Sequence, residues 1–474
     1  MSVSLYDTLT RSVKPLIPGE GGEFKFYSCG PTVYGPAHIG NFRTFLAQDV
    51  LRRVMEVDGY TVKHVRNITN VDDKTIREST NNGTSLAEFT KRWTESFHKD
   101  CHDLNLQPPH AEPGAVEHIP QQVEMIRQLL KKNHAYEKDG SVYFRVSSFP
   151  EYGALSRLKE RQVTTTQHFP EPQGPEDADE YIRESGADFA LWKNYKPEDG
   201  DNKWELLGKT WGRPGWHLEC SAMCREHLGD TLDLHSGGED LIFPHHENEI
   251  AQSEAATGQA FCRHWFHISH LMVEGQKMSK SLKNMYTLED IRAKGFSAME
   301  LRYVLISGSY RQPLNFTFDS LTAARSALNK LTKFAAQLPG LPIFNKQEGP
   351  AVFSYFKSAW EALADDLNVP KALGQIFGGL DALSEKVKGD SAAALIVAKE
   401  FSEILYALGF DLSTQKQPET KVSVPQDIQK LAQERWDAKQ SKNFQRSDEI
   451  RKDLQAKGWL IKDSKDGFEV VPVV

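Results

Sequence analysis

The chain has 474 residues, 39% hydrophobic and 26% charged, too long for one ordinary core, so two to four domains are expected. No apolar run approaches the eighteen or so residues of a membrane helix, and residues 1–7 lack the basic-then-apolar layout of a secretory signal, so a cytoplasmic protein with no membrane partner is expected. Five cysteines, odd in number and scattered, argue against a disulfide framework, and a net charge of −8 leaves any polyanion contact to local basic surface.

Residues 24–29 form an apolar, aromatic run that enters the turn-rich Gly30-Pro31-Thr32. The spacing of Phe42, Phe45, Leu46, Val50 and Val54 predicts a helix over 41–55, and residues 61–68 read as a second strand. Strand, glycine turn, helix and strand describe a βαβ unit of a parallel sheet, where a nucleotide can dock. Between about 145 and 205 the composition shifts to Pro, Gly, Asp, Glu and Thr, as in residues 170–177, and predicts an irregular insertion. From Asp319 helical periodicity dominates, with one stripe through Leu321, Leu328, Leu331 and Ala335 and another through Phe353, Phe356, Trp360 and Leu363. Residues 413–420 read as a polar linker. Two helical segments and a hairpin around Asp466-Gly467 follow, in a stretch from 426 that carries ten Lys/Arg against nine Asp/Glu.

Three constellations carry chemistry. The first is Gly35-Pro36-Ala37-His38-Ile39-Gly40-Asn41, at the junction of the first strand and helix. A helix N-terminus offers free backbone N–H groups and a positive dipole end to phosphate, and His38 and Asn41 can add side-chain donors. The second is Lys277-Met278-Ser279-Lys280-Ser281, two lysines able to neutralise charge on a departing pyrophosphate. The third joins Cys29, Cys220 and the 244–250 segment, where His245 and Glu249, four apart, share a face of a helix with Pro244 at its first position. Two thiolates, an imidazole and a carboxylate suit tetrahedral zinc. By residue type alone, His246, Glu247 and Cys224 compete for the same roles. Gly208-Lys209-Thr210 and His246-Glu247 fail the spacing of a P-loop and of a metalloprotease helix.

The first two motifs resemble the HIGH and KMSKS signatures of class I aminoacyl-tRNA synthetases, with Asn41 at the fourth HIGH position, where a neutral amide excludes a cationic role. The third resembles the corresponding segments of cysteinyl-tRNA synthetases. That resemblance covers nearly the whole chain and implies one zinc per chain on Cys29, Cys220, His245 and Glu249. It further implies Mg²⁺-ATP bound by His38, Gly40, Asn41, Gly237, Gly238, Asp240, Lys277, Met278 and Lys280, with His38, Asn41, Lys277 and Lys280 stabilising the transition state. Trp216 is a candidate wall of the substrate pocket, and Thr69 and His235 are candidates for its polar end.

The implied fold is α/β. A doubly wound, parallel-sheet nucleotide-binding catalytic domain over 1–318, with an insertion around 130–205, precedes a connecting and helical-bundle tRNA-binding region over 319–412. A small mixed α/β anticodon-binding module over 426–474 ends the chain. The implied activity is ligation of L-cysteine to tRNA(Cys) with ATP, by a monomer, zinc selecting the substrate thiol. The rivals are a cysteine ligase with an amino-sugar acceptor and a non-catalytic zinc-dependent RNA-binding protein. About 150 residues beyond the KMSKS region argue against the first, and an intact KMSKS against the second.

Overall fold

Strand Glu23–Ser28 becomes more buried toward its C-terminal end, as a strand entering the middle of a parallel sheet must. It runs into a turn that requires glycine: a Cβ on Gly30 would lie 1.7 Å from the Asn67 carbonyl oxygen. Helix Ile39–Val57 follows, starting two residues before the expected 41 because His38 caps it. The His38 side chain accepts from the Asn41 N–H and the Asn41 side chain accepts from the His38 N–H. Its apolar face seats Phe42 and Phe45 against Phe97, with centroids 6.0 and 5.2 Å apart. Burying each such ring stabilises the fold by roughly 1.5–3 kcal/mol.

The chain is described here as a computed structural model over residues 2–19, 21–158, 188–279, 281–414, 425–441, 443–464 and 467–472. The central sheet is parallel, in the order Trp265–Ile268, Leu234–Gly238, Glu23–Ser28, Thr61–Arg66. From Glu23–Ser28 the connections leave in opposite directions, to Thr61–Arg66 on one side and to Leu234–Gly238 on the other. The carboxyl ends of these two inner strands therefore flank a crevice at the switch in strand order, where open α/β sheets bind ligands.

The insertion is not irregular throughout, as its composition suggested. Ala135–Lys138, Ser141–Phe144, Phe189–Asn194, Thr210–Pro214 and Trp204–Leu206 form an antiparallel five-stranded sheet in that order. Its strands are short, three to six residues, so their alternation is lost among the turn residues between them. The Pro-rich residues 170–177 lie outside the described residues.

Helices Phe318–Ala335, Lys357–Ala364, Val369–Gly389 and Ser391–Leu408 follow. Leu321, Leu328 and Leu331 are buried in the same apolar cluster as Phe42 and Leu46 of the His38-capped helix. Asp49, midway along that helix, takes hydrogen bonds from Arg53 Nε at 2.8 Å and Arg302 Nη2 at 2.6 Å. Arg302 also donates to the carbonyls of Leu408 and Leu104. Met1–Leu412 accordingly forms one unit, with no division between packing units at 318.

Ser413–Val474 forms a second unit. Helices Gln426–Gln440 and Phe444–Ala456 pack Ile428, Ala432, Ile450 and Leu454 together beside a hairpin of Trp459–Ser464 and Gly467–Pro472. Asp463 accepts from both Arg435 Nη atoms, at 2.7 and 2.9 Å, and from Lys439 Nζ at 2.7 Å, so part of the basic charge of this stretch is engaged within the unit. Among the described residues no helix is long and apolar enough to cross a membrane.

Candidate active site and metal centre

A cavity of about 350 Å³ opens at the crevice. Its lining includes Cys29 and Trp216, then His38, Gly40 and Asn41, then Gly238 and Asp240, then Lys277 and Met278, so the three constellations share one space. The capping interaction orients the first motif. Because His38 Nδ1 accepts from the Asn41 backbone at 3.2 Å, the ring's proton sits on Nε2, and because Asn41 Oδ1 accepts from the His38 N–H at 3.1 Å, the Asn41 amide keeps its donors. Burial pulls the His38 pKa below that of an ordinary imidazole, against an opposing push from Asp240, which favours this neutral tautomer. A Cβ on Gly40 would meet His38 Nδ1 and Met278 Sδ, each at 3.0 Å, so glycine keeps this wall of the cavity open.

Lys277 lies exposed on the short strand Gln276–Lys277, and Lys280 lies outside the described residues. Asn284, which sequence reasoning missed, holds the motif's backbone: its Nδ2 donates to the Lys277 carbonyl at 3.1 Å and its Oδ1 accepts from the Ser279 N–H at 2.9 Å. Its place four residues beyond Lys280 is the only signal the sequence offers.

At the inner wall, one ligand atom each from Cys29, Cys220, His245 and Glu249 lie within 4.8 Å of one another, all buried. Cys29 follows the end of Glu23–Ser28, its N–H continuing the ladder to Ser236 O at 3.0 Å. Cys220 sits on helix Trp216–Leu228. Glu249 sits on helix Glu247–Thr257, and His245 in the helical turn Ile242–His246 that runs directly into it, with helical backbone from Pro244 onward after a kink at Phe243. His245 Nε2 still reaches Glu249 Oε1 at 3.0 Å, and the two thiol sulfurs are 4.0 Å apart.

Outer partners aim these groups. His217 Nδ1 and His245 Nδ1 share a hydrogen bond of 2.9 Å, which leaves His245 Nε2 facing the cluster, and His235 Nε2 bonds Glu249 Oε2 at 2.9 Å, which leaves Oε1 facing it. Burial pushes the Cys29 thiol up to about 12 and the Cys220 thiol well above its usual range. Against the same upward push of burial, His235 and His245 hold the Glu249 carboxyl well below the carboxylate range. Burial keeps both sulfurs as neutral thiols on their own, and a divalent metal preferring S and N donors in a tetrahedral set, which the four residues present fit, would supply the charge that lets them bind as thiolates beside the carboxylate. His246 remains a competitor, since its Nε2 is 3.3 Å from Cys29 Sγ and a second set, Cys29, His235, His246 and Glu249, is equally compact. Glu247 is turned away onto Gly153 and Ser156, and Cys224 belongs to neither set.

Trp216 lines the cavity and stacks on His245, with centroids 4.3 Å apart. The other two candidates for the pocket's polar end stand behind the lining. Thr69 donates its hydroxyl to Glu219, and His235 is wholly buried between Glu249 and the face of Trp265. Gly237 belongs to the glycine strand Leu234–Gly238 but, unlike Gly238, does not line the cavity.

The crevice at the strand-order switch and its two nucleotide motifs define a class I aminoacyl-tRNA synthetase. Residues 15–326 match the family model for the tRNA synthetases class I (C) catalytic domain. The fold agrees with that of Mycobacterium tuberculosis methionyl-tRNA synthetase in complex with methionyl-adenylate, with a TM-score of 0.55 at 15% identity over 81% of this chain and 88% of that one. Cysteine–tRNA ligase of Opitutus terrae is 49% identical, covering 100% of this chain and 99% of the relative, and that of Chlamydia muridarum is 40% identical over 99% of each. The chain belongs to the cysteine–tRNA ligase family.

Proposed function

We propose that the chain activates L-cysteine with Mg²⁺-ATP to cysteinyl-adenylate and pyrophosphate, and then transfers cysteine to the 3′-terminal ribose of tRNA(Cys), acting as a cytoplasmic monomer. It is an ATP-dependent ligase by family. The observation that carries the finer reading is that the Cys29, Cys220, His245 and Glu249 cluster adjoins the same cavity that the HIGH-like and KMSKS motifs border.

In this reading Trp216 walls the side-chain pocket, and the cysteine carboxylate meets the ATP α-phosphate before the N-terminus of helix Ile39–Val57. His38 Nε2–H and the Asn41 amide donate to phosphate oxygens, and the Lys277 ammonium, with Lys280, meets the charge that grows as pyrophosphate departs. His217 and His235 hold His245 and Glu249 in line. Zinc bound by the four residues would supply a soft Lewis acid that takes a sulfur and so favours cysteine over serine, a distinction that hydrophobic contact makes poorly. No side chain acts as a covalent nucleophile.

The test is pyrophosphate exchange with ATP and each amino acid in turn, followed by charging of total tRNA. Exchange is expected with cysteine, little with serine, and charging of one tRNA species. Exchange with cysteine but transfer to an amino-sugar and not to tRNA would establish the rival ligase. The match of cysteine–tRNA ligases over the whole length favours the tRNA acceptor.

A further inference from the structure

We propose that Tyr34 and Trp93, with Lys74 and Arg92 standing over their rings, hold the single-stranded 3′ end of tRNA at one side of the cavity, the rings against its bases and the cations against its phosphates. The inference rests on the proposed function and adds binding residues for the second substrate.

The cavity extends to both sides of strand Glu23–Ser28. Toward Leu234–Gly238 and Trp265–Ile268 it is lined by Gly238, Asp240 and Ile268, the side assigned to ATP in the proposed function. Toward Thr61–Arg66 it is lined by Tyr34, Trp93 and Phe97, which neither the four-residue metal set nor the nucleotide motifs use. Tyr34 belongs to this side because its loop is stitched to the chain beyond Thr61–Arg66: the Val33 N–H donates to Thr69 O at 3.2 Å, and the Thr69 N–H to Pro31 O at 3.1 Å. Trp93 and Phe97, four apart on helix Leu86–Asp103, share a face. That face is fixed by the packing of Phe97 on Phe42 and Phe45 and by Arg66, which is ion-paired with Glu112 at 2.6 Å and lies 4.8 Å from the Phe97 centroid.

The cations make this side distinctive. Lys74 Nζ lies 5.8 Å from the Tyr34 centroid, and Arg92 Cζ 5.0 Å from that of Trp93. Both are exposed, and among the described residues neither makes an ion pair. On the same two helices, Asp73–Asn81 and Leu86–Asp103, Arg77, Lys91 and Lys99 each face a carboxylate. The carboxylates nearest Lys74 and Arg92 in sequence are committed elsewhere: Asp72 to the Thr75 N–H, Asp73 to Lys193 and Arg213, and Glu88 to the cap residue Ser85. An aromatic ring with an unpaired cation beside it, present twice, suits single-stranded nucleic acid, whose bases stack regardless of sequence while its phosphates seek positive charge. The transfer step requires the terminal ribose of tRNA in this cavity, and the side toward Thr61–Arg66 is the one ATP leaves open to it.

The experiment uses the full chain with 5′-labelled tRNA(Cys), intact or trimmed of its last three nucleotides. Dissociation constants are measured by filter binding over a range of salt, beside cysteine-dependent pyrophosphate exchange without tRNA. The wild type is expected to bind intact tRNA more tightly than trimmed. Trp93→Leu keeps apolar bulk but removes the stacking face, and should reduce that preference by on the order of tenfold while leaving exchange nearly unchanged. Lys74→Gln combined with Arg92→Gln, both at exposed positions, should lower the salt slope for intact tRNA by about 0.7 per lost phosphate contact and leave that for trimmed tRNA as it was. Equal weakening of intact and trimmed tRNA, an unchanged preference and slope, or exchange lost in Trp93→Leu would each overturn the proposal. A wild type that charges no tRNA would refute the proposed function itself, and this inference with it, before any variant is compared.

Discussion

The two nitrogens of His38 carry a capping contact and a proposed catalytic one, and a pair of substitutions separates them. Nδ1 accepts the Asn41 N–H and caps helix Ile39–Val57, a contribution of about 1 kcal/mol. In the proposed function Nε2–H donates to the reacting phosphates, and loss of one such preorganised donor costs about 10²–10³ in rate. His38→Ala removes both, and should lower both the midpoint of thermal unfolding, by about 2 °C or less for so large a unit, and the exchange rate. His38→Asn places a strong capping residue at the same position, and should restore the midpoint but not the rate. Circular dichroism melts and cysteine-dependent pyrophosphate exchange read the two quantities separately. Recovery of exchange in step with stability in His38→Asn would reduce His38 to a cap and refute its catalytic assignment. The pH dependence has a definite sign. Burial depresses the folded-state pKa, so the unfolded chain takes up a proton first, and stability contributed here is present above about pH 6.5 and declines as pH falls below it.

Asp49→Ala strands Arg53 and Arg302 without their carboxylate, and should destabilise the first unit by about 3–5 kcal/mol in chemical denaturation. Although burial opposes it, the two arginines depress the Asp49 pKa, so in the wild type this stabilisation is present above the unfolded value near 3.9 and is lost as pH falls through the lower folded value. Cys220→Ser should lower zinc content by elemental analysis and raise the KM for cysteine with ATP affinity nearly unchanged; undiminished zinc would favour the alternative set with His235 and His246. Deleting residues 426–474 should spare exchange and weaken tRNA charging, and equal losses in both reactions of a folded truncation would reduce that unit to a packing role.

The βαβ unit was legible because Phe24, Phe26, Phe42, Leu46 and Val65 carry period and burial in short, uninterrupted runs. Those features are local, and local backbone chemistry is what a sequence exposes. The insertion was read as irregular over residues that include Phe189–Asn194, because a six-residue strand flanked by Pro, Gly and Asp is outweighed by its surroundings. The supporting histidines were harder. His217 and His235 bond to His245 and Glu249 across 28 and 14 residues, and neither separation follows from helical or strand periodicity. His245 and Glu249, four apart, were legible as one helix face because the backbone is helical from Pro244 onward, after the kink at Phe243. Donor chemistry made Cys29, Cys220, His245 and Glu249 a candidate set and family resemblance singled it out, since nothing in their separations requires two sulfurs to lie 4.0 Å apart.

The grip of Arg302 on Asp49 and on the Leu408 carbonyl bears on how this enzyme can be dissected and redesigned. A fragment ending at residue 318 would keep both nucleotide motifs yet lose the carbonyl that Arg302 Nε bonds and the side chains of Leu321 and Leu328, leaving a buried guanidinium short of an acceptor beneath an exposed apolar face. Such a piece would be prone to aggregate. A fragment that keeps these contacts extends to Leu412, where the first unit ends.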